Sequence, residues 1–256
     1  MFPYFRLGSL LIQMPLLALL VGLWGGMTLL EYESKRLNLN PSRVSNLVIF
    51  SMAAGIVGAR LGYAVQFRAL YASKPLSLLA LTPTTLLPSM GFLVGLITFW
   101  ILIDRQNLPF RPTLDALAPG LALFMVFVGL AHILSGDAYG APTNVPWAIR
   151  LWNEYRHPSQ FYEMFIALMI FLVIRERSPK PEGAGLNFLL TVALTAGARV
   201  FLEAFRGDSV FWSGGFREAQ VIALVVMAAG FYWMKRWMNL DSVPATDANQ
   251  TSTEMS

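Results

Sequence analysis

The chain reads Arg156-His157-Pro158-Ser159-Gln160-Phe161-Tyr162-Glu163 directly before a long apolar run from Met164 to Ile174. Proline suits the first position of a helix, and a glutamate early in a helix meets the positive end of the helix dipole. The stretch therefore predicts the start of a helix that is apolar enough to enter a membrane. A base, an amide, a phenol and a carboxylate within the seven residues from His157 to Glu163 are unusual at such a boundary, so this helix start is a candidate functional site.

The composition predicts a membrane protein. Of the 256 residues, 55% are hydrophobic and 13% are charged, which leaves too little polar surface to cover the core of a water-soluble fold. Seven apolar stretches are long enough, or nearly so, to cross about 30 Å of hydrocarbon, and none alternates like a membrane β-strand. The stretches are Gly8 to Leu30, Val44 to Phe67, Pro88 to Ile103, Thr113 to Ser135, Pro158 to Ile174, Ala184 to Phe205 and Gly215 to Trp233.

We therefore expect an all-α, polytopic membrane helix bundle of about seven transmembrane helices. It forms a single transmembrane domain over residues 1–239, and residues 240–256 form a disordered polar tail. With the N-terminus outside, the inner loops carry more lysine and arginine than the outer loops. The positive-inside rule then predicts an outer N-terminus and a cytoplasmic C-terminus. The interrupted apolar segment from Leu70 to Pro88 is expected to be re-entrant or interfacial.

Charge and cysteine content exclude several functions. The chain has no cysteine, so it has no disulfide framework, no thiolate nucleophile and no cysteine-held metal. The net charge of +4 is spread over loops, whereas a nucleic-acid surface would cluster it on one face. We expect neither nucleic-acid binding nor a metal or other cofactor.

The second predicted helix carries Gly58-Ala59-Arg60-Leu61-Gly62-Tyr63. An arginine within an apolar span is costly and needs a reason. One explanation is snorkelling, because Arg60 lies roughly 10 Å below the outer end by helix rise. The other is an inward-facing anion site, since small residues flank the arginine on both sides.

The fourth predicted helix has a carboxylate at its start and a histidine near its end. Thr113 as the cap and Asp115 in the first turn explain that carboxylate without a function. His132, one of only two histidines in the chain, either bonds a backbone carbonyl in the interior or faces a substrate.

Three charged residues end the sixth predicted helix. Arg199 and Glu203 are four residues apart and Glu203 and Arg206 are three apart, so all three share one helix face. They form either a self-satisfied ion-pair ladder or an anion site, since two arginines for one carboxylate leave a positive charge over. With an outer N-terminus, the polar groups near the outer helix ends predict one cavity, which suits an anionic lipid headgroup.

In these stretches the chain resembles the prolipoprotein diacylglyceryl transferases, a family of bacterial membrane enzymes. The run from His157 to Glu163 matches the family's His-Pro-Ser-Gln-Leu-Tyr-Glu except at Phe161. The run from Gly58 to Tyr63 resembles Gly-Gly/Ala-Arg-x-Gly-Tyr, and that from Arg199 to Arg206 resembles Arg-x-x-x-Glu-x-Phe-Arg. The resemblance extends over nearly the whole chain.

Several positions depart from the family pattern. Met90 stands where the family has histidine, and Gly129 stands where it has arginine. His132 and Ser135 replace two asparagines, and Asp137 replaces a glutamate.

The resemblance implies transfer of a diacylglyceryl group from phosphatidylglycerol to the thiol of a lipobox cysteine in a prolipoprotein, releasing glycerol 1-phosphate, at the bacterial inner membrane. Its implied partners are phosphatidylglycerol, the prolipoprotein signal peptide and membrane lipids. The candidate catalytic residues are His157, His132, Asp137 and Glu163. The candidate substrate-binding residues are Arg60, Tyr63, Gln160, Tyr162, Arg199, Glu203 and Arg206.

The alternative is an inactive relative that binds anionic lipid or a lipoprotein precursor. A transporter is disfavoured, because the sequence shows neither an inverted repeat nor ionisable residues along the membrane depth.

Overall fold

The computed structural model describes residues 4–7, 10–73, 85–151, 153–177 and 183–241. In this part of the chain helices dominate and two short antiparallel hairpins accompany them. The helices are α1 Met14–Arg36, α2 Pro41–Gln66, α3 Arg68–Ser73, α4 Pro88–Arg105, α5 Phe110–Ser135, α6 Ser159–Glu176, α7 Leu186–Leu202 and α8 Glu218–Asp241. The strands are β1 Tyr4–Leu7, β2 Leu10–Gln13, β3 Ile149–Leu151 and β4 Glu154–Arg156. A 3₁₀ turn, Glu203–Phe205, follows α7 directly.

Six helices within the described residues are long and apolar enough to cross a membrane: α1, α2, α4, α5, α7 with its 3₁₀ turn, and α8. The remaining predicted span corresponds to α6, which is 18 residues long and includes Glu163, Arg175 and Glu176. Large apolar side chains such as Trp24 and Phe92 are mostly exposed, as expected for helices surrounded by lipid. The prediction of an all-α, multi-pass membrane protein is confirmed. The orientation with an outer N-terminus stays a prediction.

The first predicted span begins too early. Residues 10–13 form strand β2, which pairs with β1 in the register Arg6↔Leu11, and α1 begins only at Met14. The apolar residues of β2 continue the hydropathy of the helix, so hydropathy alone does not mark the boundary. At the other end of the chain α8 continues to Asp241, and the rest of the predicted tail lies outside the described residues. The same holds for most of the predicted re-entrant segment.

Contacts divide the chain into two compact units. The first unit comprises Met1–Leu29 and Leu114–Ser256, and the second comprises Leu30–Thr113. In the second unit α2 packs against α4 through small residues. A Cβ on Gly91 would lie 2.9 Å from the Gly55 carbonyl oxygen, and one on Gly58 would lie 2.6 Å from the Cβ of Val94. Glycine at these positions lets the two backbones come close, as is common between membrane helices.

Within the first unit, α5 contacts both α1 and α6. It crosses α1 where a Cβ on Gly120 would lie 2.6 Å from the Gly26 carbonyl oxygen. On either side of Gly120 in the sequence, Ala118 and Ala122 pack with Ile170 and Ile174 of α6 in a buried apolar cluster. These contacts fix α5 and α6 relative to each other within the unit.

The predicted capping role of Thr113 and Asp115 is wrong. Helix α5 begins at Phe110, and the Thr113 hydroxyl donates to the Pro109 carbonyl oxygen at 2.8 Å. The Asp115 carboxylate instead accepts hydrogen bonds from the backbone N–H groups of Gly185 and Phe188, at 2.6 and 3.1 Å. It therefore caps the first turn of α7, where helical N–H groups lack partners within the helix. The carboxylate does have a structural role, although for a different helix.

Candidate functional site

A cavity of about 60 Å³ lies between α5, α6 and α7 of the first unit. It has room for a few water-sized groups. Most of its wall is apolar, but five polar residues also line it: Ser159, Glu163, Thr195, Arg199 and Arg206. The site therefore combines one carboxylate and two guanidinium groups in an apolar setting. Electrostatic interactions are stronger there than in water.

Two of the predicted catalytic residues form a direct contact beside this cavity. The Nδ1 atom of His132, at the end of α5, lies 2.8 Å from Oε2 of Glu163, in the second turn of α6. Both side chains are partly buried, with 29% and 17% of their surface exposed. His132 is thus paired with a carboxylate rather than with a backbone carbonyl.

The close approach of α5 to α6 makes this pairing geometrically accessible. A Cβ on Gly129 would lie 2.7 Å from the Cα of Met164 and 2.9 Å from its backbone nitrogen. No side chain fits at that position without moving a helix. His132 lies one helical turn beyond Gly129, and Glu163 directly precedes Met164, so the pair lies next to the point of closest approach.

Of the three charged residues predicted to share one helix face, only two form an ion pair with each other. Arg199 pairs with Glu203 at 3.0 Å, and this carboxylate is 1% exposed. However, α7 ends at Leu202 and the following 3₁₀ turn directs the chain away from the helix. Arg206 consequently does not pair with Glu203. Its guanidinium makes a bidentate contact with Asp208, with Nε and Nη2 at 2.8 and 2.6 Å from the carboxylate oxygens.

A further arginine, Arg217, contacts this turn, and the sequence motifs do not point to it. The guanidinium of Arg217 donates to the backbone carbonyl oxygen of Glu203 and lies over the ring of Phe211. No helix connects it to Glu203, because the chain between Phe205 and Glu218 is not helical, so helical spacing gives no signal for this contact. The contact ties the 3₁₀ turn to the segment that leads into α8.

The polar groups at the start of α6 mostly bind a neighbouring loop. Ser159 Oγ donates to the Ala138 carbonyl oxygen at 2.6 Å, and Gln160 Nε2 donates to the Asp137 carbonyl oxygen at 3.1 Å. The backbone N–H of His157 donates to the Ala141 carbonyl oxygen at 3.0 Å. This segment therefore holds residues 137–141 in place, and fully buried Gln160 is part of that support.

The same loop passes very close to the start of α6. Gly140 pairs with Arg206 as an isolated bridge, and a Cβ on Gly140 would lie 2.0 Å from the His157 carbonyl oxygen. The backbone N–H of Gly207 donates to the Tyr139 carbonyl oxygen at 2.9 Å. The loop thus links the start of α6 to the end of α7 and positions Arg206 at the cavity.

The two rings of the predicted site lie together beside this loop. His157 packs edge-on against Phe205 with the ring centroids 5.2 Å apart, and Tyr162 packs against the same Phe205 at 5.8 Å. The Tyr162 hydroxyl accepts a hydrogen bond from Trp147 Nε1 at 2.6 Å. The Nδ1 atom of His157 is buried and makes no hydrogen bond with the described residues.

The other predicted site residues are placed as follows. Asp137 is exposed and does not line the cavity. Arg60 belongs to the second unit, where it is 6% exposed, donates to the Thr85 carbonyl oxygen at 3.0 Å and lies over the Tyr71 ring. In that unit the Tyr63 ring packs against Phe67 at 4.5 Å and also faces Tyr71. Arg60 is thus held by the protein itself.

This arrangement supplies two kinds of chemistry. Fixed guanidinium groups bind phosphate oxygens and stabilise negative charge that develops on them. A histidine bonded to a carboxylate accepts a proton on its other ring nitrogen. The described residues contain no group of three or more side chains suited to hold a metal ion.

Comparison with known proteins agrees with these features. The sequence model of a family described as prolipoprotein diacylglyceryl transferase matches residues 3–236. A phosphatidylglycerol–prolipoprotein diacylglyceryl transferase from a Nostoc species is 28% identical over 238 residues, which is 87% of this chain and 83% of the relative. Proteins of the same name are similar in Finegoldia magna, at 28% identity over 77% of this chain and 79% of the relative, and in Gloeobacter violaceus, at 26% over 90% and 91%. The match to the family model spans nearly the whole sequence, and the chain therefore belongs to the prolipoprotein diacylglyceryl transferase family.

Proposed function

We propose that this protein transfers a diacylglyceryl group from phosphatidylglycerol to the thiol of a lipobox cysteine in a prolipoprotein and releases glycerol 1-phosphate. The acceptor is the signal peptide region of a secreted precursor, and the site is the bacterial plasma membrane. In this reaction a thiol displaces a phosphate ester. It needs a base for the thiol and fixed cations for the leaving phosphate.

The observation that carries the proposal is the cavity between α5, α6 and α7, where Arg199 and Arg206 lie with Glu163 in an apolar wall. Two guanidinium groups offer planar, permanently charged contacts to a phosphodiester. The surrounding apolar residues suit the acyl chains that the headgroup carries. The carboxylates that pair with the arginines keep their side chains in place before the lipid binds.

We propose the following roles for the site residues. Arg199 and Arg206 bind the phosphate, and Glu203 holds Arg199 in place. Arg60 and Tyr63 also contribute to lipid binding. On the same proposal, Gln160 and Tyr162 also bind the substrate, and four residues take part in the transfer step: His132, Asp137, His157 and Glu163.

The test is a transfer assay with purified protein, phosphatidylglycerol and a lipobox peptide. Peptide mass and glycerol phosphate release are followed together. We expect a mass gain of one diacylglyceryl group, with one glycerol phosphate released for each peptide modified. A peptide with serine in place of the lipobox cysteine is the matched control and should gain no mass. If the cysteine peptide also gains none while the protein retains phosphatidylglycerol, transfer is rejected.

The second candidate is a catalytically inactive relative that binds anionic lipid or a lipoprotein precursor. The observation that favours it is Gly129, which stands where the family pattern has arginine and has no room for any side chain. Retention of phosphatidylglycerol without turnover in the assay above supports this candidate.

A further inference from the structure

The contact between His132 and Glu163 fixes how the histidine ring is protonated. Because a carboxylate only accepts, a neutral imidazole must carry its proton on Nδ1, the atom 2.8 Å from Glu163 Oε2. The other nitrogen, Nε2, then has an unshared electron pair. The structure gives Nε2 no partner among the described residues, and the ring is 29% exposed, so a ligand can reach it.

The location of the pair connects it to the proposed lipid site. Glu163 lines the cavity, and the charged groups that face it there are Arg199 of α7 and Arg206 beyond the 3₁₀ turn. A phosphodiester bound by these two arginines therefore lies on one side of Glu163, and the His132 ring lies on the side of α5.

We propose that His132 is the general base of the transfer and that Glu163 is its positioning residue. This inference rests on the proposed function. Nε2 of His132 takes the proton of the acceptor thiol. The sulfur attacks the glyceryl methylene carbon next to the phosphate oxygen. A C–S bond forms as the C–O bond breaks, and the bonding pair leaves with the phosphate oxygen of glycerol phosphate. The imidazolium then gives its proton to the released phosphate or to water.

A base at this position is chemically useful because a cysteine thiol, with a pKa of about 8.5, is only a few per cent ionised at neutral pH. A positioned general base contributes roughly 10²–10⁴-fold to such a step. Glu163 holds the ring in one tautomer and one orientation, and it stabilises the imidazolium that forms.

The test compares two lipobox peptides that differ only in cysteine or selenocysteine. A selenol is already ionised at neutral pH and needs no base. His132→Asn keeps an amide nitrogen near the position of Nδ1 and can still donate to Glu163, but it has no group at the position of Nε2. We expect the His132→Asn rate to fall about 100-fold or more with the thiol peptide and to stay within about threefold of wild type with the selenol peptide.

Two results overturn the assignment. Equal losses with both peptides mean that His132 supports the structure or binds the lipid. A thiol-peptide rate within about threefold of wild type means that another group takes the proton. If His132→Asn does not yield folded protein, His132→Gln replaces it. Glutamine places its amide near the position of Nε2 instead of Nδ1, and the variant is judged by the same ratio of selenol to thiol rates.

Glu163→Gln tests the positioning role. A glutamine amide can donate to Nδ1, which moves the ring proton to Nε2, or accept from it, and in both cases the negative charge that stabilises the imidazolium is absent. We expect a loss with the thiol peptide, recovery with the selenol peptide, and no further loss in the His132→Asn/Glu163→Gln double variant, because the two residues act as a unit. Additive losses reject the positioning role.

The outcomes also separate this inference from the proposed function. Wild-type protein that modifies neither peptide rejects the transferase reaction itself. Wild-type protein that modifies both peptides, together with an unimpaired His132→Asn variant, rejects only the base.

Discussion

Gly129→Ala tests whether the close approach of α5 and α6 is needed for the His132–Glu163 pair. The added Cβ would lie 2.7, 2.8 and 2.9 Å from the Cα, Cβ and nitrogen atoms of Met164. Carbon atoms in contact prefer about 3.5–4.0 Å, so the helices must separate locally by about 0.8 Å. The same shift would stretch the 2.8 Å contact between His132 and Glu163 to about 3.6 Å, which is no longer a hydrogen bond.

We therefore expect two effects of Gly129→Ala. Overpacking should lower the free energy of unfolding by about 1–3 kcal/mol, measured by denaturant titration in mixed micelles. The transfer rate should fall by about the factor seen for His132→Asn, and the selenol peptide should restore it. The matched control is Gly25→Ala in α1. There the nearest atom to the new Cβ is Cδ2 of Leu123 at 3.1 Å, the flexible end of a side chain. We expect Gly25→Ala to change the free energy of unfolding by less than about 1 kcal/mol.

Stability and turnover together show whether the added methyl group separates the helices and whether this separation breaks the His132–Glu163 pair. A Gly129→Ala protein with wild-type stability and wild-type turnover refutes the reasoning, because the backbone contact would then tolerate a side chain. Reduced stability with normal turnover refutes only the link to the His132–Glu163 pair.

Three other predictions concern the supports of the site. Asp115→Ala removes the acceptor for two buried amides at the start of α7 and should lower the free energy of unfolding by about 3 kcal/mol, measured by denaturant titration. Asp115→Asn keeps one carbonyl acceptor, so its free energy of unfolding should fall by about half as much. Arg206→Lys cannot keep the bidentate contact with Asp208, so the KM for phosphatidylglycerol should rise about tenfold, with little change in kcat, in the transfer assay. Gly140→Ala would place a Cβ 2.0 Å from the backbone oxygen of His157. We expect a lower thermal unfolding temperature and a free energy of unfolding reduced by about 3 kcal/mol or more.

The sequence predicted the helices well because their signal is local. A run of apolar residues long enough to cross the hydrocarbon identifies a span without knowledge of its neighbours. The same signal failed at the N-terminus, where strand β2 is as apolar as the start of α1. Hydropathy measures the preference for an apolar environment and does not distinguish a strand from a helix over four residues.

The pairing of charged side chains in the site was predictable only where the residues keep helical spacing. The Arg199–Glu203 pair follows from the spacing of four residues. The pairing of Arg206 with Asp208 does not, because the 3₁₀ turn ends the helical period before Arg206. The Asp115 carboxylate reaches amides 70 and 73 residues away, and such a contact depends on how the helices pack.

Gly129 and His132, where the resemblance places an arginine and an asparagine in the family, lie one helical turn apart at the contact between α5 and α6. An arginine at residue 129 needs space between α5 and α6, whereas the present glycine lets Met164 come within van der Waals contact of the α5 backbone. Such contact brings residue 132 within hydrogen-bond distance of Glu163, and a histidine there can use that distance. A histidine at residue 132 without the glycine would lose its carboxylate partner. With the glycine but without the histidine, the two helices would still approach closely, but no base would be held there. Considered alone, glycine at residue 129 looks like the loss of a cation, and histidine at residue 132 looks like the exchange of one polar group for another. Together they replace a long cation with a proton-accepting pair, and the Gly129→Ala and His132→Asn variants should therefore fail in the same way.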